Sequence, residues 1–307
     1  MPSRKANCRS SITDRGAAYA KAYHFGRDSP DSLGDFLKDY FAPGGKEYSN
    51  DNFLPAKPGT HREYSNIAAA LAGYIVEIAV GEKLNAYTRR IFFSPLKMDN
   101  TGWLLSDVDL AKHSTLYIAQ GLAVPIQPYG LTTYPDGGLR TCVSDLSKFF
   151  IALLGEGEYQ GTRVLDSTSV AEMLRYQYSA SNKPDNVKLS GEGAVNSGIF
   201  WATKADLTRM GHSGADPGVV TMMIADRSAD VAVIFFFNSV FARFKAHKEG
   251  KRHDVQGWQQ QRRQGKVRLC NAGRPRHLFG GRRATRRRRR WAGRASRKRR
   301  RFAPGHR

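Results

Sequence analysis

The apolar pattern of this 307-residue chain ends at Asn238, and that break confines any buried core to the residues before it. Residues 240–307 hold 25 Lys and Arg against two acids, a net +23, with basic runs at 286–290 and 297–301. They offer no apolar face to bury, so this tail is expected to be disordered on its own. Residues 1–239 hold the other 24 basic residues and 25 acids, so the body is almost neutral. The total of +22 would by itself suggest a nucleic-acid or anionic-surface binder. Concentrated in the tail, it predicts only non-specific polyanion binding that weakens steeply with salt. Phe279, Trp291 and Phe302 are the aromatics near the arginine clusters, too few to support base stacking. An abrupt shift to Arg, Gly and Gln is also what a wrong reading frame of a GC-rich gene yields. The expected organisation is an unassigned segment 1–9, a domain over 10–239 and the basic tail 240–307.

Within the body the period changes once. Ser29-Pro30 reads as an N-cap and first helical residue, and Leu33, Phe36, Leu37 and Tyr40 follow at helical spacing to about Phe41. Asn66 is the candidate cap of a second helix, 67–80, which Gly81 stops. That helix is apolar on nearly every side, which predicts burial. Further helices are expected over 84–93, over 145–154 with Ser144 as cap, and after a capping box from Ser169 to Glu172. From Ser197 the pattern becomes strands, over 198–203, 207–212, 219–226 and 231–238, the last two joined by a hairpin-length turn. A helical first half followed by an antiparallel sheet is an α+β layout.

The chain's other features exclude several classes. Hydrophobic content of 40% with 11% aromatics is enough for a core. Cys8, Cys142 and Cys270 are odd in number and far apart, so neither a disulfide framework nor a zinc site is suggested, and no cofactor is expected. The longest apolar runs are too short for a membrane span, and the first twenty residues show no signal peptide.

Three polar clusters sit where helix, loop and strand meet. Pro58-Gly59-Thr60 leads to Tyr64-Ser65-Asn66 at the mouth of the apolar helix. A tyrosine there can act as general base if nearby cations lower its pKa, and Asn66 offers a donor and an acceptor. Gly211-His212-Ser213-Gly214-Ala215 ends a strand. It is not a nucleophile elbow, because Ala215 replaces the last glycine and a strand follows instead of a helix. It presents a ring, a hydroxyl and bare backbone N–H groups able to hold a carbonyl or carboxylate. Tyr134-Pro135-Asp136-Gly137-Gly138 reads as a turn that positions the next helix. Taken singly, each cluster is satisfied by a turn, a cap or a strand end.

In order, they resemble the serine β-lactamase and penicillin-binding-protein superfamily, in the branch of class C β-lactamases and their esterase and D-aminopeptidase relatives. Tyr64-Ser65-Asn66 matches that family's Y-x-N and His212-Ser213-Gly214 its [KH]-[ST]-G, with supporting context over about residues 10–239. The resemblance implies a β-lactamase/transpeptidase-like fold, a helical subdomain plus an antiparallel sheet. It implies Tyr64 as proton shuttle, Asn66 as holder of the substrate amide or carbonyl, His212 and Ser213 facing the substrate's polar group, and the Ala215 N–H as half of an oxyanion hole. The substrate would be a small ester, lactam or D-peptide. Histidine in the third motif is similar to the esterase and peptidase-like members. Such proteins are usually exported.

The family's first motif, S-x-x-K, is the departure. Ser94 and Lys97 are the one pair at that spacing, but they follow Y-x-N, and Pro95 interrupts the helix the motif requires. The family's nucleophile segment precedes a stretch like Arg9-Ser10-Ser11-Ile12, so the chain is expected to begin after it, incomplete at both ends. Without that serine, acyl transfer of the family type is not expected. Loss of the helix that carries it predicts exposure of part of helix 67–80 and of one sheet face, and poor stability.

Overall fold

Capping and apolar spacing decide where the helices begin. The computed structural model describes residues 11–12, 17–119, 123–204 and 206–241, all within the first of two units, residues 1–251. Helix α1, Leu33–Phe41, starts after Ser32, whose Oγ accepts the Asp35 N–H at 3.1 Å. The predicted cap Ser29 instead closes a tight turn, accepting the Asp31 N–H at 3.1 Å, so the helix begins three residues later than expected. Leu33, Leu37 and Tyr40 form its buried stripe.

Helix α2, Asn66–Val80, is capped by Ser65, which is extended and accepts the Ala68 N–H at 3.2 Å. Asn66, the predicted cap, is therefore its first helical residue. Gly81, at φ 73°, takes the left-handed conformation that ends the helix at no steric cost. Burial is one-sided, against expectation. Ile67, Ala70, Gly73 and Glu77 are buried, while Ile75 and Ile78 are 59% and 68% exposed.

Gly73 admits the turn Tyr134–Asp136, since a Cβ there would lie 2.5 Å from the Pro135 Cβ. That turn thus docks on α2, whereas the sequence assigned it to positioning the following helix. Below it, the buried Glu77 carboxylate accepts from the Tyr134 hydroxyl, the Leu84 N–H at 3.1 Å and the Lys83 ammonium at 3.1 Å.

Helix α3, Leu84–Thr88, continues through a wide turn, Arg89–Phe93, in which the Ser94 N–H reaches back five residues to the Arg89 carbonyl at 2.9 Å. The pair span the predicted 84–93. Helix α4, Val143–Leu154, begins after Cys142, which makes no side-chain cap, so Ser144 lies inside the helix. Helix α5, Ser167–Leu174, likewise starts before the predicted capping box, and Glu172 pairs with Arg175 at 2.6 Å instead. In both cases a residue two or three positions earlier, with extended backbone, took the cap position.

The strands, in chain order, are β1 Ser11–Ile12, β2 Tyr23–Phe25, β3 Phe53–Leu54, β4 Leu116–Ala119, β5 Ala123–Ile126, β6 Tyr129–Leu131, β7 Glu158–Tyr159 and β8 Thr162–Arg163. Then come β9 Ala202–Lys204, β10 Asp206–Asp216, β11 Val219–Asp226, β12 Ala232–Phe237 and β13 Ser239–Phe241. The last four expected strands become one antiparallel sheet, ordered β12-β11-β10-β9. Its β11 spans the predicted residues, while β10 runs four residues past His212. The short β13 pairs in parallel with β4, so regular structure crosses the predicted boundary at 239 by two residues.

Met210, Ala225 and the edges of Met223 and Ile234 close one sheet face over Phe150, Leu153, Val170 and Trp201. Phe150 and Trp201 stack with centroids 6.0 Å apart. Val233 and Phe237 on β12 are about half exposed, at 49% and 54%. Ile75 and Ile78 on α2 and Val233 and Phe237 on β12 are therefore exposed apolar residues. The one-sided burial of α2 corrects the reading of residues 67–80 as a helix buried all round. This is a mixed α+β fold, a helical layer on an antiparallel sheet. The segment 1–9, most of the basic tail, Cys8 and Cys270 lie outside the described residues.

Candidate functional site

Strand β10 carries the second polar cluster, and its register fixes which groups share a border. Gly211 pairs with Ile224, His212 with Met223, Ser213 with Met222, Gly214 with Thr221 and Ala215 with Val220. On the other side β9 pairs with β10 at Gly211 and no further towards Ala215, so residues 212–215 line that border of the sheet. Two glycines permit the close approach. A Cβ on Gly211 would meet the Met223 carbonyl oxygen at 2.0 Å, and one on Gly214 the Thr221 hydroxyl at 2.8 Å.

The first cluster arrives from the α2 side. The loop ahead of Tyr64 is braced by Asn186, whose Oδ1 accepts the Arg62 N–H at 2.9 Å and whose Nδ2 donates to the Arg62 carbonyl at 2.8 Å. The Asp185 N–H adds a bond to the Thr60 carbonyl at 3.0 Å. So held, the Tyr64 ring lies against His212, with centroids 6.2 Å apart and planes tilted by 44°. Tyr64 remains 59% exposed, and Asn66 stands two residues on at the start of α2. Tyr64 and His212, 148 residues apart in sequence, are thus brought together, with Ser213, Gly214 and Ala215 following on the same strand.

Two basic residues join them that the motif search did not single out. Lys204, at the end of β9, donates to the Ser213 hydroxyl at 3.0 Å. Burial, and then the nearby Arg62, hold the Lys204 ammonium below its ordinary range. Burial, and then Lys204, push His212 below its usual value, so at neutral pH the imidazole is uncharged. It then offers one donor and one acceptor to whatever sits beside Tyr64. An NMR titration should find His212 below 6.5, and Lys204→Met should move it back up part of the way, since burial remains. Nothing in the sequence marks Lys204, because its role depends on a strand pairing that carries no motif.

Beyond Ala215, Asp216 accepts the Tyr23 hydroxyl at 2.5 Å, and a Cβ on Gly137 would touch its carboxylate at 3.1 Å. Burial raises both groups, Asp216 above the usual carboxylate range and Tyr23 well above that of a phenol. Asp216 borders a cavity of about 830 Å³ lined also by Tyr129, Gly137, Arg140, Thr221 and Phe236, among others. The Arg140 guanidinium there is held by the carbonyls of Trp103, Gly138 and Tyr129. The third cluster thus places its glycines beside the end of β10. Ser94, at the end of the wide turn after α3, is exposed, while its neighbours Phe93, Leu96 and Met98 pack against α4. Among the described residues no group of three His, Cys, Asp or Glu could hold a metal, and no helix is long and apolar enough to cross a membrane.

On this α+β frame a tyrosine before an apolar helix thus faces a histidine-serine-glycine strand end. The family model described as Beta-lactamase matches residues 22–256, and the chain belongs to that family. The fold is similar to the octameric penicillin-binding protein homologue from Pyrococcus abyssi, with a TM-score of 0.51 and 21% identity over 71% of this chain and 50% of that one. It is similar also to D-amino acid amidase from Ochrobactrum anthropi SV3, solved with L-phenylalanine, with a TM-score of 0.55 and 21% identity over 78% and 63%. The chain spans between half and two thirds of the length of these two structures. A search of curated proteins finds no match.

Proposed function

We propose that this chain is a serine-hydrolase-family domain that binds a small ester, lactam or D-peptide between Tyr64 and the His212–Ala215 strand border, and that it does not form the family's acyl-enzyme. The observation that carries the reading is the contact of Tyr64 with His212, in the family's motif order, in a sequence with no S-x-x-K ahead of Tyr64. Tyr64 and a neutral His212 would hold or pass a proton at the ligand's heteroatom, and Asn66 and the Ala215 N–H would hold its amide or carbonyl oxygen. Such groups bind and polarise a carbonyl but offer no nucleophile of the family type. Ser94 does not replace it, since it follows Tyr64 in the chain and Pro95 interrupts the helix that would have to carry it.

Turnover of nitrocefin and of p-nitrophenyl acetate by the 307-residue protein tests the second half of the proposal. Both rates should equal buffer background and be unchanged in Tyr64→Phe. A rate above background that falls in Tyr64→Phe would show a working acyl-transfer site. The first half is tested by ligand-observed NMR with hippuramide, a neutral N-acyl amino-acid amide. Binding should be seen, and Tyr64→Ala should remove it.

A further inference from the structure

The four-stranded sheet closes one of its edges and leaves the other open. Strand β9, at one edge, is three residues long and ends in Lys204. Its outer side is taken up by the bridge between Ala202 and Ser197 and by the Thr203 N–H, which donates to the Asn196 carbonyl at 3.2 Å. Strand β12, at the other edge, pairs only with β11 among the described residues. The N–H of Asp226, the last residue of β11, donates to the Val231 carbonyl at 3.0 Å. Antiparallel bonding alternates, so at two-residue steps from Val231 the backbones of Val233, Phe235 and Phe237 bond to β11. Those of Ala232, Ile234 and Phe236 then point away from the sheet. Natural edges are blunted by charge, proline or a bulge, and β12, Ala-Val-Ile-Phe-Phe-Phe in unbroken register, has none of the three.

We propose that β12 pairs antiparallel with β12 of a second copy of the chain, joining two sheets across a two-fold axis at Ile234. Ile234 packs on the core beside its β11 partner Met223, so Val231, Val233, Phe235 and Phe237 share the opposite face. Val231, Val233 and Phe237 are exposed there, and the Phe235 and Phe237 rings lie 5.3 Å apart. A two-fold at Ile234 is the register that pairs all three outward backbones, Ala232 with the partner's Phe236 and Ile234 with its own counterpart. The same register sets Val233 against the partner's Phe235 and Val231 against the partner's Phe237. Each side chain of that face then meets an apolar one, and no like charges oppose. A second copy is the occupant because this edge is complementary to itself, while residues 243–307 of the same chain offer no apolar run to lie beside it. With the β9 edge closed, assembly stops at two copies.

Sedimentation velocity and amide hydrogen exchange on the full chain test this with no substitution. One strand pair buries little area, so pairing should be weak, with a dissociation constant of about 10 μM. The protein should sediment at its 34.2 kDa monomer mass at about 1 μM and at twice that mass at about 100 μM. The amides of Ala232, Ile234 and Phe236 should exchange quickly at the lower concentration and several-fold more slowly at the higher. Those of Val233, Phe235 and Phe237 should stay protected at both. Val233→Lys and Phe235→Glu should each weaken pairing about tenfold. An equimolar mixture of the two variants should restore it, because the register opposes position 233 of one copy to position 235 of the other. A monomer at the higher concentration, a dimer whose Ala232, Ile234 and Phe236 amides still exchange quickly, or protection of those amides in the monomer would each overturn the proposal. A mixture that pairs no better than either variant alone would overturn the two-fold at Ile234.

Discussion

Replacing Glu77 by alanine should destabilise the domain by about 3 kcal/mol, the cost expected when buried hydrogen-bond donors lose their acceptor. The Glu77 side chain is almost fully buried on α2, yet it ties three separate pieces of chain. It takes the hydroxyl of Tyr134 from the docked turn, the N–H of Leu84 at the start of α3, and the exposed ammonium of Lys83. The exposed Lys83 contributes little, because solvent screens it. The loss comes from the Tyr134 hydroxyl and the Leu84 N–H, left buried without a partner. In urea unfolding the midpoint should fall accordingly, with a melting temperature lower by roughly 10 °C for a domain of this size. Glu77→Gln is the internal comparison, since its amide oxygen still accepts one of those bonds, and it should lose clearly less. An alanine variant within about 0.5 kcal/mol of wild type would contradict this role for Glu77.

That network shows what the sequence made legible and what it did not. Helix 67–80 and its stop at Gly81 were readable from an apolar run ending in glycine, and the sheet from strand-period segments with tight turns. Which residue caps each helix was not readable, because Ser29 and Ser32, Ser65 and Asn66, and Cys142 and Ser144 stand close together. Only the local backbone decides between such neighbours, and at α4 it gives the cap position to Cys142, whose side chain makes no cap bond. Tyr64 and His212 were legible because each belongs to a short motif. Lys204, Arg62 and the Tyr23–Asp216 pair were not, because each acts through a partner between 9 and 193 residues away, with no spacing to betray it. Glu77 itself reads as an interruption of an apolar helix until Tyr134 is seen to reach it. Burial of α2 was misread for a related reason: apolar residues all round a helix tell what it could cover, not what covers it.

Gly211→Ala should be the most damaging single-methyl change at the site, costing about 3 kcal/mol, as overpacking against fixed backbone does. The added Cβ would lie 2.0 Å from the Met223 carbonyl oxygen and 2.8 Å from the Ile224 Cα. Neither belongs to a flexible side-chain end, so β10 and β11 must part at the middle of the sheet. His212 is the next residue and pairs with Met223, so the same movement carries its ring away from Tyr64. Two measurements separate this from a general loss of fold. Gly59→Ala adds a methyl at φ 79° with nothing within 4 Å, and should cost only about 1 kcal/mol, the price of a left-handed backbone. In conditions where Gly211→Ala is still folded, His212 should titrate closer to its ordinary value than in wild type, because it is less buried and farther from Lys204. Hippuramide binding should be lost in Gly211→Ala and kept in Gly59→Ala, since the first moves one wall of the pocket and the second leaves both walls in place.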